Sequence, residues 1–421
     1  MDLVPYAVPF FLVAILVEFG WGRLRGTDTY RLNDTINSLS LGTLSTAIKL
    51  LGLNLAGPVF AIAYDRLAPV HLDAASPLTW LFSLLVYDFC YYWFHRISHE
   101  RTLFWASHVV HHQSEEYNLS TALRQTATGF LVSWVFYIPC FLLGVPPEVF
   151  VTVGSAHLIY QFWIHSRHIP KLGVLEWFLV TASNHRVHHA RNASYVDTNY
   201  GGLLIVWDRL FGTFADERDE EPCVYGITTP LRSWNPLWAN LHIYAGMLGD
   251  IRRSGSARAA LRVLVSRTGW HPGEALSRAV GEVKSFSPYD PPASAVVRYY
   301  AAAQFLLAIV FSLALERAAP DMPEPLRWMS FGYLLTWLVS VGVLLEGGTR
   351  AAPLEWLRIA SAPVLVLLGA NSWPALSGAA AYALVSGVFF ISALRGAGTK
   401  APGAAGNSGE AGGREKNPAT S

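Results

Sequence analysis

At 421 residues, with 52% hydrophobic and only 14% charged side chains, the chain is too apolar for a soluble domain of its size. A formal net charge of +1 provides no basic field to attract nucleic acid, which excludes that class of partner. Three cysteines cannot frame a disulfide-stapled fold, and Cys90 and Cys140 fall inside apolar runs, where they read as small buried residues.

In chain order, the apolar runs 3–21, 36–64, 78–94, 129–143 and 149–164 are expected to be membrane-embedded helices. Several approach the ~20 residues that cross a bilayer core, and the shorter ones suit tilted hairpin halves. Lys49 interrupts the second run, which reads as a short span preceded by an amphipathic turn. The first run lacks a basic flank and a small-residue cleavage site, so no cleavable signal peptide is expected. A polar stretch over 166–295 follows, then four further apolar runs at 296–315, 326–345, 353–370 and 374–394. The tail, 395–421, is rich in Gly, Ala, Ser, Lys and Glu and is expected to be disordered. The expected fold is all-α: a polytopic membrane protein with a cytoplasmic, histidine-rich di-metal cap and a C-terminal helical membrane block. Three parts follow, at 1–295, 296–394 and 395–421.

Orientation follows from the basic residues. Arg23, Arg25 and Arg31 follow the first run, and Arg96, Arg101 and Arg124 follow the third. The 166–295 stretch is rich in arginine, and Arg395, Lys400, Arg414 and Lys416 lie in the tail. The opposite loops hold only Arg66, Arg317 and Arg327, so the histidine-bearing segments are expected on the cytoplasmic face.

Eight of the fourteen histidines fall into three boxes: His95 and His99 in HRISH, His108, His111 and His112 in HVVHH, and His185, His188 and His189 in HRVHH. On a helix, positions i and i+4 lie about 40° apart and i, i+3 and i+4 span about 100°, so each box aims its imidazoles one way. Neutral imidazole nitrogen ligates iron, zinc and copper. Eight such ligands exceed what one ion with an open position can use and suit two ions of about four nitrogens each. A single HxxxH carries little weight, but solvent-facing or core histidines have no reason to crowd into two HxxHH triplets. His165, ending a span in QFWIHS, is the expected ninth ligand. His71, His157, His168, His242 and His271 read as ordinary. Metal-bound imidazoles donate their second N–H to a carboxylate or carbonyl, and Asp88, Glu100, Glu115, Glu116 and Asp197 are the expected carboxylates. Asp88 stands out because an ionisable group inside an apolar helix is costly.

The order HRISH–HVVHH–HRVHH resembles the fatty acid hydroxylase / sterol desaturase superfamily of membrane di-iron enzymes, and within it the alkylglycerol monooxygenase branch. The resemblance is carried by YDFCYYWFHRISHE, FWASHVVHHQSEEYNLSTALRQ, YQFWIHS and NHRVHHARNASYVDTNYGGLLIVWDRLFGTF. RLNDTINSLSLG, WHPG and the final four-helix block extend it over nearly the whole chain before the tail. It implies two iron ions, dioxygen, a lipid substrate drawn from the membrane, and tetrahydrobiopterin as electron donor. It also implies catalytic roles for Glu100 and Tyr200, which match the branch's glutamate after the first box and tyrosine beyond the third. Asn184 and Ala190 depart from the family pattern, which commonly has histidine and glycine there.

The expected activity is hydroxylation of a lipid C–H bond, with cleavage of a glyceryl ether as the leading reading. A sterol, carotenoid or fatty-acyl hydroxylase or desaturase served by a separate redox partner protein is the alternative. A metal transporter is disfavoured because transporter ligands sit at mid-membrane on broken helices. A zinc hydrolase is disfavoured because HRISH lacks the glutamate that HExxH sites use as base.

Overall fold

The computed structural model describes residues 1–273, 286–347, 351–369 and 372–398. Residues 399–421 of the expected tail, with Lys400, Arg414 and Lys416, lie outside the described residues.

Every extended element of regular structure among these residues is helical. The chain enters through α1 (Val4–Arg25), 22 residues long and ended by left-handed Gly26. Next, α2 (Leu32–Ala47) runs through a 3-10 turn at Ile48–Leu51 into α3 (Ala56–Ile62) and a π-turn at Ala63–Leu67. The run interrupted by Lys49 is therefore broken near that residue, with a 64° bend between its halves. The reason is composition: α2 buries Asn33, Asp34, Asn37, Ser38 and Ser40, which hydrocarbon could not solvate, so it packs into the protein.

The first histidine box lies on the last turns of α4 (Pro77–Glu100), and the second on α5 (Thr102–His112), reached through an extended Arg101. A one-turn helix, α6 (Leu119–Ala122), is capped by Asn118. The stretch 129–143 is not a span. It forms two 3-10 turns, Gly129–Leu131 and Ser133–Tyr137, and then the short α7 (Ile138–Leu142). Pro139 cannot donate a backbone hydrogen bond and so starts α7 rather than extending a longer helix. The run at 149–164 becomes α8 (Pro147–Trp163), and the third box lies on α9 (Ala182–His188). Three more helices complete the polar region: α10 (Val206–Phe211), α11 (Pro236–Arg253) and α12 (Ala257–Val265).

The four C-terminal runs appear as expected, as α13 (Ala295–Ala318), α14 (Glu324–Leu345), α15 (Ala352–Gly369) and α16 (Trp373–Gly398). Among the described residues, α1, α13, α14, α15 and α16 are long and apolar enough to cross a bilayer, which makes this an integral membrane protein. Phe10, Leu16 and Val17 on α1 are exposed, as lipid-facing side chains must be. The core of the C-terminal helices, centred on Phe305, Leu334, Leu338 and Val341, is continuous with Ile36, Leu44 and Ala47 of α2. That packing ties the block to the histidine half.

Candidate metal centre

The three boxes and His165 meet in one place, as two adjoining groups. His95, His99, His108, His112 and His188 offer ring nitrogens that all lie within 4.8 Å of one another, and His111, His165, His185 and His189 do the same. The groups touch through His112 and His189, whose rings stack 4.3 Å apart. The assignment crosses the boxes: HVVHH gives His108 and His112 to the first group and His111 to the second. On α5, His108 and His112 are one turn apart, and His111 points away by about 60–100°.

Second-nitrogen partners fix the rings. The Nδ1 of His95 lies 2.8 Å from Tyr200 O, that of His111 2.9 Å from Arg124 O, that of His165 2.8 Å from Gln161 O and that of His188 2.8 Å from Thr198 O. A carbonyl only accepts, so each of these Nδ1 atoms carries the proton and each Nε2 keeps its lone pair. Those lone pairs converge. His165 Nε2 is 3.3 Å from His111 Nε2, and Nε2 of His95 and His188 are buried with no hydrogen-bond partner among the described residues. Facing lone pairs repel unless a cation lies between them, and neutral imidazoles are the donors a transition metal takes. The donor set therefore fits two metal ions. Burial, reinforced by neighbouring imidazoles, holds the nine histidines neutral: His111 is lowered to about 4, His188 to about 3, and the others well below the usual imidazole value.

The carboxylates expected to support the imidazoles mostly do other things. Asp88 accepts hydrogen bonds from Leu203 N, Leu204 N and Trp207 Nε1 and lies 2.7 Å from His157 Nε2, joining α4 to the loop after Tyr200. Glu115 accepts from Tyr289 N, and Glu116 pairs with Arg31 and Arg167. Asp197 Oδ1 is 3.9 Å from His99 Nδ1, beyond hydrogen-bond length. Backbone carbonyls supply the support instead, which no side-chain pattern in the sequence announces.

Glu100 is half-buried at the end of α4 and pairs with Arg96 at 2.9 Å. Its carbonyl accepts from Thr268 N. Tyr200 is buried, with its ring 5.4 Å from that of His99 and 5.9 Å from that of His188. Its hydroxyl has no hydrogen-bond partner among the described residues, and burial with the nearby Asp197 and Glu100 raises its pKa above the usual phenol value.

The sequence reading named Tyr200 in this loop but missed that the backbone carbonyls of Thr198 and Tyr200 orient His188 and His95. Asp197 and Asn199 are left-handed, with φ of 63° and 55°, a conformation that Asp and Asn adopt more readily than other side chains. Asn199 donates through Nδ2 to Asn184 O and Ala215 O and accepts from Ala215 N. Asp208, fully buried and raised to about 6 by burial, accepts from Tyr200 N, Gly201 N and Thr213 Oγ1. A Cβ on Gly202 would sit 2.4 Å from the His157 ring, so that position tolerates only glycine. The available signal was the run of turn-forming residues in YVDTNYGG. Around the second group, buried Arg124 donates to Val110 O, Ser38 Oγ and Gln113 Oε1 while its own carbonyl serves His111. Asn184, one of the two departures from pattern, accepts from Thr181 N and forms a reciprocal cap that starts α9. The other, Ala190, bridges to Tyr225.

His71, His157, His168, His242 and His271 are all bonded elsewhere, to Tyr64 O, Asp88, Thr29, Ala239 O and Asp250 respectively. An apolar groove of about 610 Å³ runs along α4, lined by Phe82, Leu85, Phe89, Trp93, Phe136 and Trp207 among others. Phe136 packs on Phe94, which packs on His108, so the groove ends beside the first histidine group.

Residues 80–213, the segment holding all nine histidines, match the fatty acid hydroxylase family. The chain is 36% identical over 363 residues to the alkylglycerol monooxygenase of Homo sapiens, covering 85% of this chain and 81% of that protein. It is 38% identical over 371 residues to that of Danio rerio, covering 86% and 81%, and 36% identical over 366 residues to that of Xenopus tropicalis, covering 85% and 80%. No solved structure matches it significantly. With that likeness running through both the histidine half and the C-terminal helices, the chain belongs to the alkylglycerol monooxygenase family of fatty acid hydroxylase-type oxidoreductases.

Proposed function

We propose that this protein is a di-iron monooxygenase that hydroxylates the carbon beside the ether oxygen of an alkylglycerol. The resulting hemiacetal then collapses to an aldehyde and free glycerol or a glycerol lipid. The observation that carries this reading is the pair of adjoining all-imidazole groups. Two irons, when bound there, supply the activation of dioxygen and the oxidation of the C–H bond. His95, His99, His108, His112 and His188 would hold one, and His111, His165, His185 and His189 the other.

The chain's own residues bind, position and exclude. The groove along α4 takes the alkyl chain, since its walls are almost wholly apolar and it ends at Phe136 and Phe94 beside His108. Tyr200 closes the first group from the opposite loop, with an unpartnered hydroxyl available to a substrate oxygen. Glu100, bordering the same group and held by Arg96, is the second catalytic side chain in this reading. Burial of seven of the nine histidines, with His108 and His111 half-buried, keeps bulk water from the reacting carbon. Tetrahydrobiopterin as electron donor rests on the family resemblance, and a separate redox protein is the competing source. We assign the histidine site to the cytoplasmic face, on the placement of arginine in the flanking segments. In this reading 1–295 is the catalytic unit, 296–394 the membrane block and 395–421 the tail, although α16 continues to Gly398 and so takes the first four residues expected to be disordered.

The test is turnover of a lipid panel by iron-loaded protein in bilayers, with reduced pterin or a ferredoxin system supplied in turn. Pterin-dependent release of aldehyde from a glyceryl ether is expected. Ferredoxin-driven oxidation that ignores pterin would move the protein to the sterol, carotenoid or fatty-acyl reading. Oxidation of no lipid at all would sink both.

A further inference from the structure

The outer face of α11 and α12 is unusual for a polar cap. On α11, Leu237, Trp238, Leu241 and Leu248 are between 37% and 47% exposed and share one helical face. On α12, Leu261 and Val265, one turn apart, are 62% and 57% exposed. Arginine borders the α12 end of this apolar strip: residues 251–267 hold Arg252, Arg253, Arg258, Arg262 and Arg267 and no Asp or Glu. An apolar stripe bordered by cations is the pattern of a helix lying in a membrane interface.

The anchoring of the hairpin places it at the right height. Its start is fixed to the end of a membrane helix: Trp234 N and Ser233 Oγ both donate to Glu346, just past α14. Gly342 of α14 lies so close that a Cβ there would sit 2.2 Å from Trp234 O. Its far end is fixed to the junction of α4 and α5, where Thr102 N donates to Ser266 O and Thr268 Oγ1 donates to His99 O. The inner face is already used, with Met247 and Val263 packed on Ala106 of α5. Among the described residues only the outer face is unpartnered, and the hairpin's start adjoins the end of a span.

We infer that the α11–α12 hairpin lies in the headgroup layer of the bilayer that holds the spans. Its leucines enter the acyl boundary, and Arg252, Arg258 and Arg262 contact anionic lipid headgroups. Because Thr268 holds the His99 carbonyl, the surface also steadies the end of the first histidine helix. The occupant is an anionic lipid surface, chosen over a second copy of the chain because the end of α11 and α12 expose Arg252, Arg253, Arg258 and Arg262 while Asp250 on the same helix is buried, and like charges would repel across a dimer.

The test uses the full chain in nanodiscs of phosphatidylcholine alone or in equal mixture with phosphatidylglycerol. A fluorophore sensitive to its surroundings is placed at Leu261→Cys in a Cys223→Ser background, Cys90 and Cys140 being buried. In the mixed bilayer, headgroup-level spin-labelled lipid should quench it several-fold while aqueous iodide should not reach it. Arg252→Gln/Arg258→Gln should weaken the lipid quenching several-fold. Free access of iodide in both bilayers would overturn the inference. Equal quenching in both bilayers, unaffected by the arginine variant, would overturn its anionic part. Shielding from iodide without lipid quenching, together with a dimer on crosslinking, would assign the face to a second copy. None of these readouts depends on turnover, so they stand or fall apart from the proposed activity.

Discussion

Asn199→Ala should empty one metal site and spare the other. Asn199 is left-handed, with φ of 55°, and its side chain makes three hydrogen bonds, to Asn184 O, Ala215 O and Ala215 N. Alanine in that conformation costs about 1 kcal/mol. Asn184 O keeps its α9 hydrogen bond and loses only a second donor, so the main loss is at the half-buried Ala215 O and Ala215 N, about 1–3 kcal/mol. The loop is thus destabilised locally by about 2–4 kcal/mol. That loop presents Thr198 O to His188 and Tyr200 O to His95, both in the first histidine group. The second group takes its carbonyls from Arg124 and Gln161, far from this loop in sequence and on other elements. Loss of such support lowers metal affinity about 10–100-fold. Anaerobic titration of the metal-depleted protein with ferrous iron should therefore give one tight and one weakened site, and about one iron should survive dialysis. Asn199→Gly, which relieves the backbone cost but not the lost hydrogen bonds, should fall in between. Equal weakening of both sites, or no weakening, would refute the assignment of carbonyl support to separate groups.

Replacing His111, His112, His188 or His189 by Ala should abolish turnover, whereas His71→Ala or His271→Ala should leave it within a few-fold; lipid oxidation at matched expression decides. Glu100→Ala should cripple turnover of an ether lipid with iron content unchanged, and Tyr200→Phe should act in the same direction. Little loss for Glu100→Ala would reduce that side chain to its ion pair with Arg96. The pH response of the metal-depleted protein has a definite sign. Burial lowers His111 to about 4 and His188 to about 3, so between the usual imidazole value near 6.5 and those values the unfolded chain binds more protons than the folded one. The stabilisation is present above about pH 6.5 and is lost as pH falls toward 4 and 3, so thermal unfolding should drop steadily between pH 7 and 5. Bound iron should flatten that slope near neutrality by excluding protons from the ring nitrogens.

The sequence by itself determined which histidines gather and most of the long helices. Three boxes at i, i+4 or i, i+3, i+4 spacing leave few arrangements other than convergence, and four long, mostly apolar runs in the last third have no stable form in a bilayer but helices. Where apolarity was interrupted, the reading ran out. Buried Asn, Asp and Ser turn α2 inward, and Pro139 with its neighbours breaks 129–143 into short turns. Only the tertiary structure decided how the nine histidines divide five to four, because that depends on which face of α5 meets α9 and which meets His165. Only it revealed that carbonyls of residues 124, 161, 198 and 200 orient the imidazoles, while Asp88, Glu115 and Glu116 hold loops and arginines. A carbonyl is common to every residue, so its placement leaves no trace in residue type. What the sequence retains is the secondary cause: an Asn and an Asp suited to left-handed backbone, a glycine without room for a Cβ, and a buried aspartate to hold the turn.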